Sequence, residues 1–169
     1  MGFDPIYQSS AQAVGRKLVA HKYDLVYGGG SVGLMGVVAD EVLSLKGQVT
    51  GVITEKLYAW EVGHNGLTQL HIVKTMHERK AMMAQLSDGF IALPGGIGTL
   101  EEITEITTWL QLGYHQKPCG ILNIAGYYNA FITLLDQMVI QGFLDAKSRN
   151  LIIIESNIDD LLAKMPLNN

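Results

Sequence analysis

The stretch that decides the fold is Phe90–Glu102, which reads FIALPGGIGTLEE. Its first four residues form an apolar run typical of a buried strand, and a helical pattern begins at Thr99. A glycine-rich turn between a strand and a helix leaves backbone N–H groups free and directs a helix N-terminus towards its ligand. Such a turn suits an anion, above all a phosphate. Glu102, three residues into the helix, then places a carboxylate beside the bound group.

Short apolar runs alternate with helical patterns along the rest of the chain. Asp4 predicts an N-cap with Pro5 at the first helical position, and Asn157 predicts the cap of a last helix. The predicted strands are 24–27, 49–54, 70–73, 90–93, 120–124 and 151–154, the predicted helices are 5–21, 34–46, 77–86, 99–112, 127–141 and 158–164, and 55–68 is a predicted loop. This order predicts a single α/β domain over residues 1–169, with a Rossmann-like, doubly wound parallel sheet and helices on both faces.

The composition excludes several classes of protein. A net charge of −4 provides no basic field for nucleic acid, and no apolar run reaches the ~18 residues of a membrane helix. Cys119 is the single cysteine, so an intrachain disulfide is impossible and a cytoplasmic location is expected. Only 17% of the residues are charged, against roughly 25% in typical domains, and apolar helices carry Met83 and Trp109. We therefore expect a homodimer, in which a second copy covers part of this surface.

A second glycine-rich segment, Gly28–Gly33, reads GGGSVG and matches G-x-G-x-x-G between a predicted strand and a predicted helix. Alone, this pattern predicts a dinucleotide site, which needs an Asp or Glu on the ribose about 20 residues further on. The next predicted strand runs to Thr54 without one. Three interpretations stay open: a dinucleotide site, glycines that only pack the helix on the strand, and a mononucleotide phosphate or ribose site at Gly29 and Gly30.

Two charged residues have both a structural and a functional interpretation. Thr99 and Glu102 form the T-x-x-E pattern of a capping box, in which Glu102 would only return to the N-cap backbone. Arg79 is in helical phase with apolar residues, so it is predicted on the inward face of the helix. It is either a structural ion pair or a snorkelling side chain, or a guanidinium that binds phosphate or carboxylate. Lys80 is one step round the helix and within reach of a phosphate. The histidines lack metal-ligand spacing with Cys119, and no metal site is expected.

These residues together resemble one family. The similar segments are PGGIGTLEE at 94–102, which matches the P-G-G-x-G-T-x-x-E signature of the LONELY GUY (LOG) family, MHERK at 76–80, which matches its M-H-x-R-K segment, YGGGSVGLMG at 27–36, TWLQLG at 108–113 and GYY at 126–128. The resemblance extends from about Pro5 to Leu144. Members often carry the label lysine decarboxylase, but this sequence contains no recognisable lysine setting for pyridoxal phosphate.

The resemblance implies a cytokinin riboside 5′-monophosphate phosphoribohydrolase. Such an enzyme cuts the N-glycosidic bond of an N6-modified adenosine monophosphate and releases the free base and ribose 5-phosphate. Many members of the family also accept AMP. It implies Glu102 as the catalytic acid and Arg79 as its essential partner, with no cofactor. The residues implied in phosphate binding are Gly95, Gly96, Gly98 and Thr99. Whether Glu102 attacks C1′, orients water or binds the ribose hydroxyls stays open.

One departure from the family pattern leaves other functions open. Members usually begin with a strand and a turn similar to C-G-S-S, placed before the segment that here starts at Met1, and this chain lacks them. That first strand would occupy the centre of the sheet, and its turn would form one wall of the nucleotide site. The alternatives are a non-catalytic protein of the same fold that binds or carries a nucleotide or the molybdenum cofactor, and an inactive remnant.

Overall fold

The computed structural model describes residues 2–60, 63–64 and 66–167. The chain divides into two compact units, Met1–Ser87 and Asp88–Asn169. Each unit contains a three-stranded parallel sheet flanked by helices. The predicted α/β class with parallel strands is confirmed.

In the first unit, the sheet has the strand order β1-β2-β3. The elements are α1 (Pro5–Ala20), β1 (Leu25–Tyr27), α2 (Gly33–Ser44), β2 (Val49–Thr54), α3 (Glu55–Trp60), β3 (Gln69–Val73) and α4 (Met76–Leu86). The ladder pairs Leu25 with Val49 at its start and Tyr27 with Gly51 at the end of β1. Because all three strands are parallel, their carboxyl ends meet at one edge, where Gly28 follows β1.

The core of the first unit forms where α2 and α4 pack on the sheet and α1 packs on α2. Its buried side chains are mostly β-branched or small, as expected of a parallel sheet covered by helices. They include Ala11, Val14, Val38, Ala39, Val42, Val49, Val52 and Ile53. The predicted start of α1 is confirmed, since the Asp4 carboxylate accepts a hydrogen bond from the Ile6 N–H and Pro5 occupies the first helical position.

In the second unit, the sheet has the strand order β4-β5-β6. The elements are β4 (Phe90–Ala92), α5 (Ile97–Gln111), β5 (Cys119–Leu122), a 3₁₀ turn (Ile124–Gly126), α6 (Asn129–Ile140), α7 (Ala146–Arg149), β6 (Ile152–Glu155) and α8 (Ile158–Lys164). Helix α5 packs on β4 and β5, and α8 packs on β5 and β6. The predicted cap of α8 is confirmed, because the Asn157 side chain accepts from the Asp160 N–H.

Two short helices were not predicted. Residues 55–68 were expected to form a loop, but α3 occupies Glu55–Trp60, where the Thr54 hydroxyl accepts from the Leu57 N–H and satisfies the helix start. Part of that loop, at 61, 62 and 65, lies outside the described residues. Helix α7 begins at Asp145, whose carboxylate accepts from the Ser148 N–H. Helices this short lack a full apolar period, so a local cap decides whether they form.

One statement about the whole chain stays a prediction: that residues 1–169 form a single domain. Among the described residues, no helix is long and apolar enough to cross a membrane.

Candidate functional site

The first glycine turn, Gly28–Gly30, connects the end of β1 to α2, and all three residues are buried. Gly29 has φ of 76°, a backbone conformation that favours glycine. Gly63 and His64 contact this turn. Gly30 pairs with Gly63 in an isolated antiparallel bridge, and the His64 N–H donates to the Gly29 carbonyl at 3.2 Å. Both predicted binding residues of this turn are therefore enclosed by backbone contacts within the first unit.

Arg79 lies against this turn. It stands in the first turns of α4, a helix that begins with a capping box: the Thr75 hydroxyl accepts from the Glu78 N–H, and the Glu78 carboxylate accepts from the Thr75 N–H. The side chain is only 6% exposed, and its Nε–H donates to the Val52 carbonyl at 3.0 Å. A Cβ atom at Gly28 would lie 2.1 Å from an Nη atom of Arg79. The guanidinium thus lies against the backbone at the end of β1.

The predicted burial of Arg79 is confirmed, but the apolar face on which it was placed is only partly covered. Met82 and Met83 are half-buried, and Leu86 is exposed. Lys80 is half-buried. Arg79 is the one fully buried side chain of α4, a helix whose residues are all described. A buried guanidinium is costly to desolvate unless it is paired or hydrogen-bonded, as Arg79 is with Val52.

The second glycine turn, Pro94–Gly98, connects β4 to α5 and differs from the first in being open. Gly96 and Gly98 are exposed, and a Cβ atom added to either would meet nothing within 4 Å. Gly96 is the N-cap of α5 and, having no side chain, makes no side-chain capping hydrogen bond. The helix start therefore presents backbone N–H groups at an uncovered turn, which suits an anion.

The predicted capping box of Thr99 and Glu102 is wrong. Gly96 is the N-cap, and its carbonyl accepts from the N–H groups of Thr99 and Leu100 at 3.1 and 3.3 Å. Thr99 is therefore already inside the helix, because the glycine turn lets α5 begin at Ile97. Glu102 is half-buried on α5, next to the exposed Glu101, and lies more than one turn beyond the N-cap.

Three side chains hold the second glycine turn in place. The Tyr127 hydroxyl donates to the Gly95 carbonyl, and the Tyr128 hydroxyl donates to the Leu93 carbonyl, both at 2.6 Å. The Thr99 side chain packs against Gly95, where an added Cβ atom would lie 2.2 Å from Oγ1. Burial, and then the neighbouring Tyr127, raise the pKa of Tyr128 to about 12, so its hydroxyl remains a donor at neutral pH.

The two tyrosines were not predicted as site residues. Their sequence signal was the GYY segment at 126–128, which was noted only as similar to the family. Nothing in a linear sequence relates this segment to Leu93 and Gly95, more than 30 positions earlier (separations 35 and 32). Among the residues that the structure describes, no group of three or more His, Cys, Asp or Glu side chains could hold a metal ion.

Comparison with known sequences identifies the family. A family profile described as "Possible lysine decarboxylase" matches residues 35–165. An Oryza sativa subsp. japonica protein named "Probable cytokinin riboside 5'-monophosphate phosphoribohydrolase LOG4" is 47% identical over 164 residues, which cover 97% of this chain and 71% of the relative. The chain belongs to the LONELY GUY (LOG) family. A second LOG relative, the Arabidopsis thaliana "Cytokinin riboside 5'-monophosphate phosphoribohydrolase LOG7", is 46% identical and covers 97% of this chain and 76% of its own length.

Solved structures share the fold of this LOG chain at much lower identity. The molybdenum cofactor binding protein of Rippkaea orientalis is 21% identical, with a TM-score of 0.69, and covers 95% of this chain and 86% of its own. The molybdenum cofactor carrier protein of Chlamydomonas reinhardtii is 21% identical, with a TM-score of 0.64, and covers 94% and 89%. At this identity the similarity shows the fold alone.

Proposed function

We propose that this protein hydrolyses the N-glycosidic bond of adenosine 5′-monophosphate and its N6-modified, cytokinin-type derivatives. The products are the free base and ribose 5-phosphate. The LOG relatives carry the corresponding name at 46–47% identity. The observation on this chain that carries the proposal is the open, uncapped start of α5 at the second glycine turn. It provides N–H donors for a phosphate, with a carboxylate further along the same helix.

The phosphate is proposed to bind at Gly95, Gly96, Gly98 and Thr99. The absence of side chains at Gly96 and Gly98 lets phosphate oxygens approach the backbone closely. Lys80, Gly29 and Gly30 are proposed to bind the substrate as well, since Lys80 offers a cation and the two glycines belong to the turn beside Arg79. These contacts are remote from the bond that breaks, so their binding energy is available to orient the ribose.

Glu102 is proposed as the catalytic carboxylate. When the C1′–N bond breaks, its electron pair leaves with the base and the ribose develops oxocarbenium character. A carboxylate near C1′ stabilises that cation, and water then supplies the new C1′–O bond while its proton goes to the departing base. Arg79 is proposed to bind the anionic part of the substrate, because a guanidinium holds phosphate or carboxylate oxygens in a planar fork.

The test is to incubate the purified protein with AMP, with an N6-modified AMP and with adenosine, and to measure free base and ribose 5-phosphate. We expect release from both nucleotides and little from adenosine, because loss of several charge-assisted hydrogen bonds of roughly 1.5–3 kcal/mol each removes the orienting contacts. Binding of AMP without release of base would instead indicate a carrier. Equal cleavage of adenosine and AMP would rule out the phosphate role of the second glycine turn.

We also propose that the protein is a cytoplasmic homodimer that needs neither metal nor cofactor. Several large apolar side chains are exposed on the described chain, and a second copy would cover part of this surface. They include Trp60, Ile97, Leu112, Ile140 and Phe143. A sedimentation mass of one chain at micromolar concentration would contradict the dimer, and loss of activity in a chelator would contradict metal independence.

A further inference from the structure

Gly28 does not need to be glycine for backbone reasons. Its neighbour Gly29 has φ of 76° and Gly33 has φ of 75°, conformations that L side chains rarely adopt. Gly28 directly follows β1 and is not among the residues of positive φ. Its conformation is therefore open to alanine, and another constraint accounts for the missing side chain.

That constraint is the guanidinium of Arg79. A Cβ atom at Gly28 would lie 2.1 Å from Nη2 and 3.3 Å from Cζ of Arg79, and 3.7 Å from the sulfur of Met35. A distance of 2.1 Å is one that real Cβ atoms essentially never show, so the two groups cannot occupy these positions together. The space that a side chain at Gly28 would fill is the space in which the guanidinium lies.

A second contact fixes the same guanidinium from another direction. Its Nε–H donates to the carbonyl of Val52 at 3.0 Å in a buried hydrogen bond. Val52 lies one residue past Gly51, the last β2 residue paired with β1. The hydrogen bond fixes the position of Nε, and the missing side chain of Gly28 leaves the space that Nη2 occupies. The guanidinium, on a side chain that is 6% exposed, therefore lies between the Val52 carbonyl and the backbone of Gly28.

We propose that Gly28 is a positioning residue, which holds the Arg79 guanidinium in the place where it binds the anionic substrate. The part of this inference that concerns substrate rests on the proposed function, whereas the steric part does not. Because the obstructed atom is the far end of a long side chain, alanine at Gly28 displaces the guanidinium without breaking the sheet or the helix. The change should therefore appear in the position and function of Arg79 and not in folding.

The position of the guanidinium is testable without any activity. The chain contains three arginines, Arg16, Arg79 and Arg149, so the side-chain Nε–H region of a ¹H–¹⁵N spectrum holds three resonances. Arg79→Lys identifies the resonance of Arg79 by removing it. In Gly28→Ala we expect that resonance to shift or to broaden through exchange, while those of Arg16 and Arg149 stay in place. An unchanged Arg79 resonance would overturn the proposal.

Gly89→Ala is the matched control. A Cβ atom there would lie 2.6 Å from the far end of Leu167 and 3.2 Å from that of Met165, so it displaces flexible side chains other than Arg79. We expect Gly89→Ala to leave the Arg79 resonance unmoved. A shift equal to that of Gly28→Ala would show a general response to crowding and would overturn the specific role of Gly28.

Turnover of AMP provides the second arm. A misplacement of about 1 Å costs up to ~100-fold in rate, so kcat/KM of Gly28→Ala should fall by about that factor with little change in Tm. The double variant Gly28→Ala/Arg79→Ala should be no less active than Arg79→Ala, since no guanidinium remains to displace. A further loss in the double variant, or a fall in Tm that accounts for the activity lost, would overturn the positioning role. Absence of turnover in the unchanged protein would refute the proposed function and leave the spectroscopic arm to decide.

Discussion

The two glycine turns follow strands of equal length and precede helices whose N-cap residues make no side-chain capping hydrogen bond, yet the turns differ in exposure and in the groups that lie against them. The first turn, Gly28–Gly30, is buried and lies beside a guanidinium. The second turn, Pro94–Gly98, is open at Gly96 and Gly98 and is held by two tyrosine hydroxyls. Glycine at position 28 leaves space for the guanidinium of Arg79, whereas glycine at positions 96 and 98 leaves the backbone exposed.

The contrast extends to the electrostatics of each turn. Arg79 brings a permanent positive charge to the first turn and keeps it out of solvent, where it interacts strongly with any anion that reaches it. Tyr127 and Tyr128 bring no charge to the second turn, where the backbone N–H groups and the start of α5 provide the positive end of a dipole. For the phosphate that we propose at the second turn, the donors of the turn itself are backbone N–H groups.

Glu102→Gln should have the largest effect. The amide keeps the size of the side chain, but it cannot stabilise a developing cation, so kcat should fall by about 10²–10³-fold. The fold should be retained, because the amide has the same size and α5 begins at Gly96 and Ile97. The measurement is release of adenine from AMP, with Glu101→Gln as the control on the exposed neighbour. A wild-type rate in Glu102→Gln would remove the catalytic role from the second unit.

Arg79→Ala tests the first turn in the same assay. We expect Arg79→Ala to lose about 100-fold in kcat/KM. Arg79→Lys should recover only part of this loss, because an ammonium lacks the planar fork and the Nε–H that donates to the Val52 carbonyl. Arg16→Ala, which removes an exposed arginine paired with Glu41, is the control. If Arg79→Ala loses Tm while turnover per folded molecule is unchanged, the charge of the first turn is structural.

Tyr128→Phe and Tyr27→Phe compare a buried hydroxyl near each turn. Tyr128 is 2% exposed and donates to the Leu93 carbonyl, so its replacement should lower the free energy of unfolding by about 1–3 kcal/mol. Tyr27, just before the first turn, is 6% exposed, and its hydroxyl has no hydrogen-bond partner among the described residues. Tyr27→Phe should therefore be neutral or stabilising in denaturant unfolding. A larger loss in Tyr27→Phe than in Tyr128→Phe would reverse this comparison.

The smallest expected effect is the difference in stability between Thr75→Ala and Thr99→Ala, which affect the helices that follow β3 and β4. Thr75 caps α4 in a capping box, so its loss should cost about 0.5–2 kcal/mol of stability. Thr99 lies inside α5, so Thr99→Ala should cost less in stability and appear mainly as a higher KM for AMP. Chemical denaturation and KM measurements separate the two effects. Equal losses of stability would mean that Thr99 matters chiefly as packing against Gly95.

Much of the fold follows from the sequence, because strand and helix patterns are local. The alternation of apolar runs with helical periods located all six described strands, and the bounds of β2 were predicted to the residue. The caps at Asp4 and Asn157 were also predicted, since an N-cap needs only a side chain and a backbone N–H two or three residues away. The burial of Arg79 was also predicted, although the apolar residues in phase with it are half-buried or exposed.

The tertiary structure decided what the sequence left equal. T-x-x-E occurs at both Thr75 and Thr99, but only the first forms a capping box. Thr75 has an extended backbone and is the N-cap of α4, whereas α5 already begins at Ile97, two residues before Thr99. The contacts at the two turns join residues that are 32 to 51 positions apart along the chain. They are the hydrogen bonds of the Tyr127 and Tyr128 hydroxyls and the contact between Gly28 and the Arg79 guanidinium. A periodicity reports which face of an element is buried, but it does not report what lies opposite that face. Contacts between distant segments exist only once the sheets have formed, so the groups that position each turn had to be found in the folded protein.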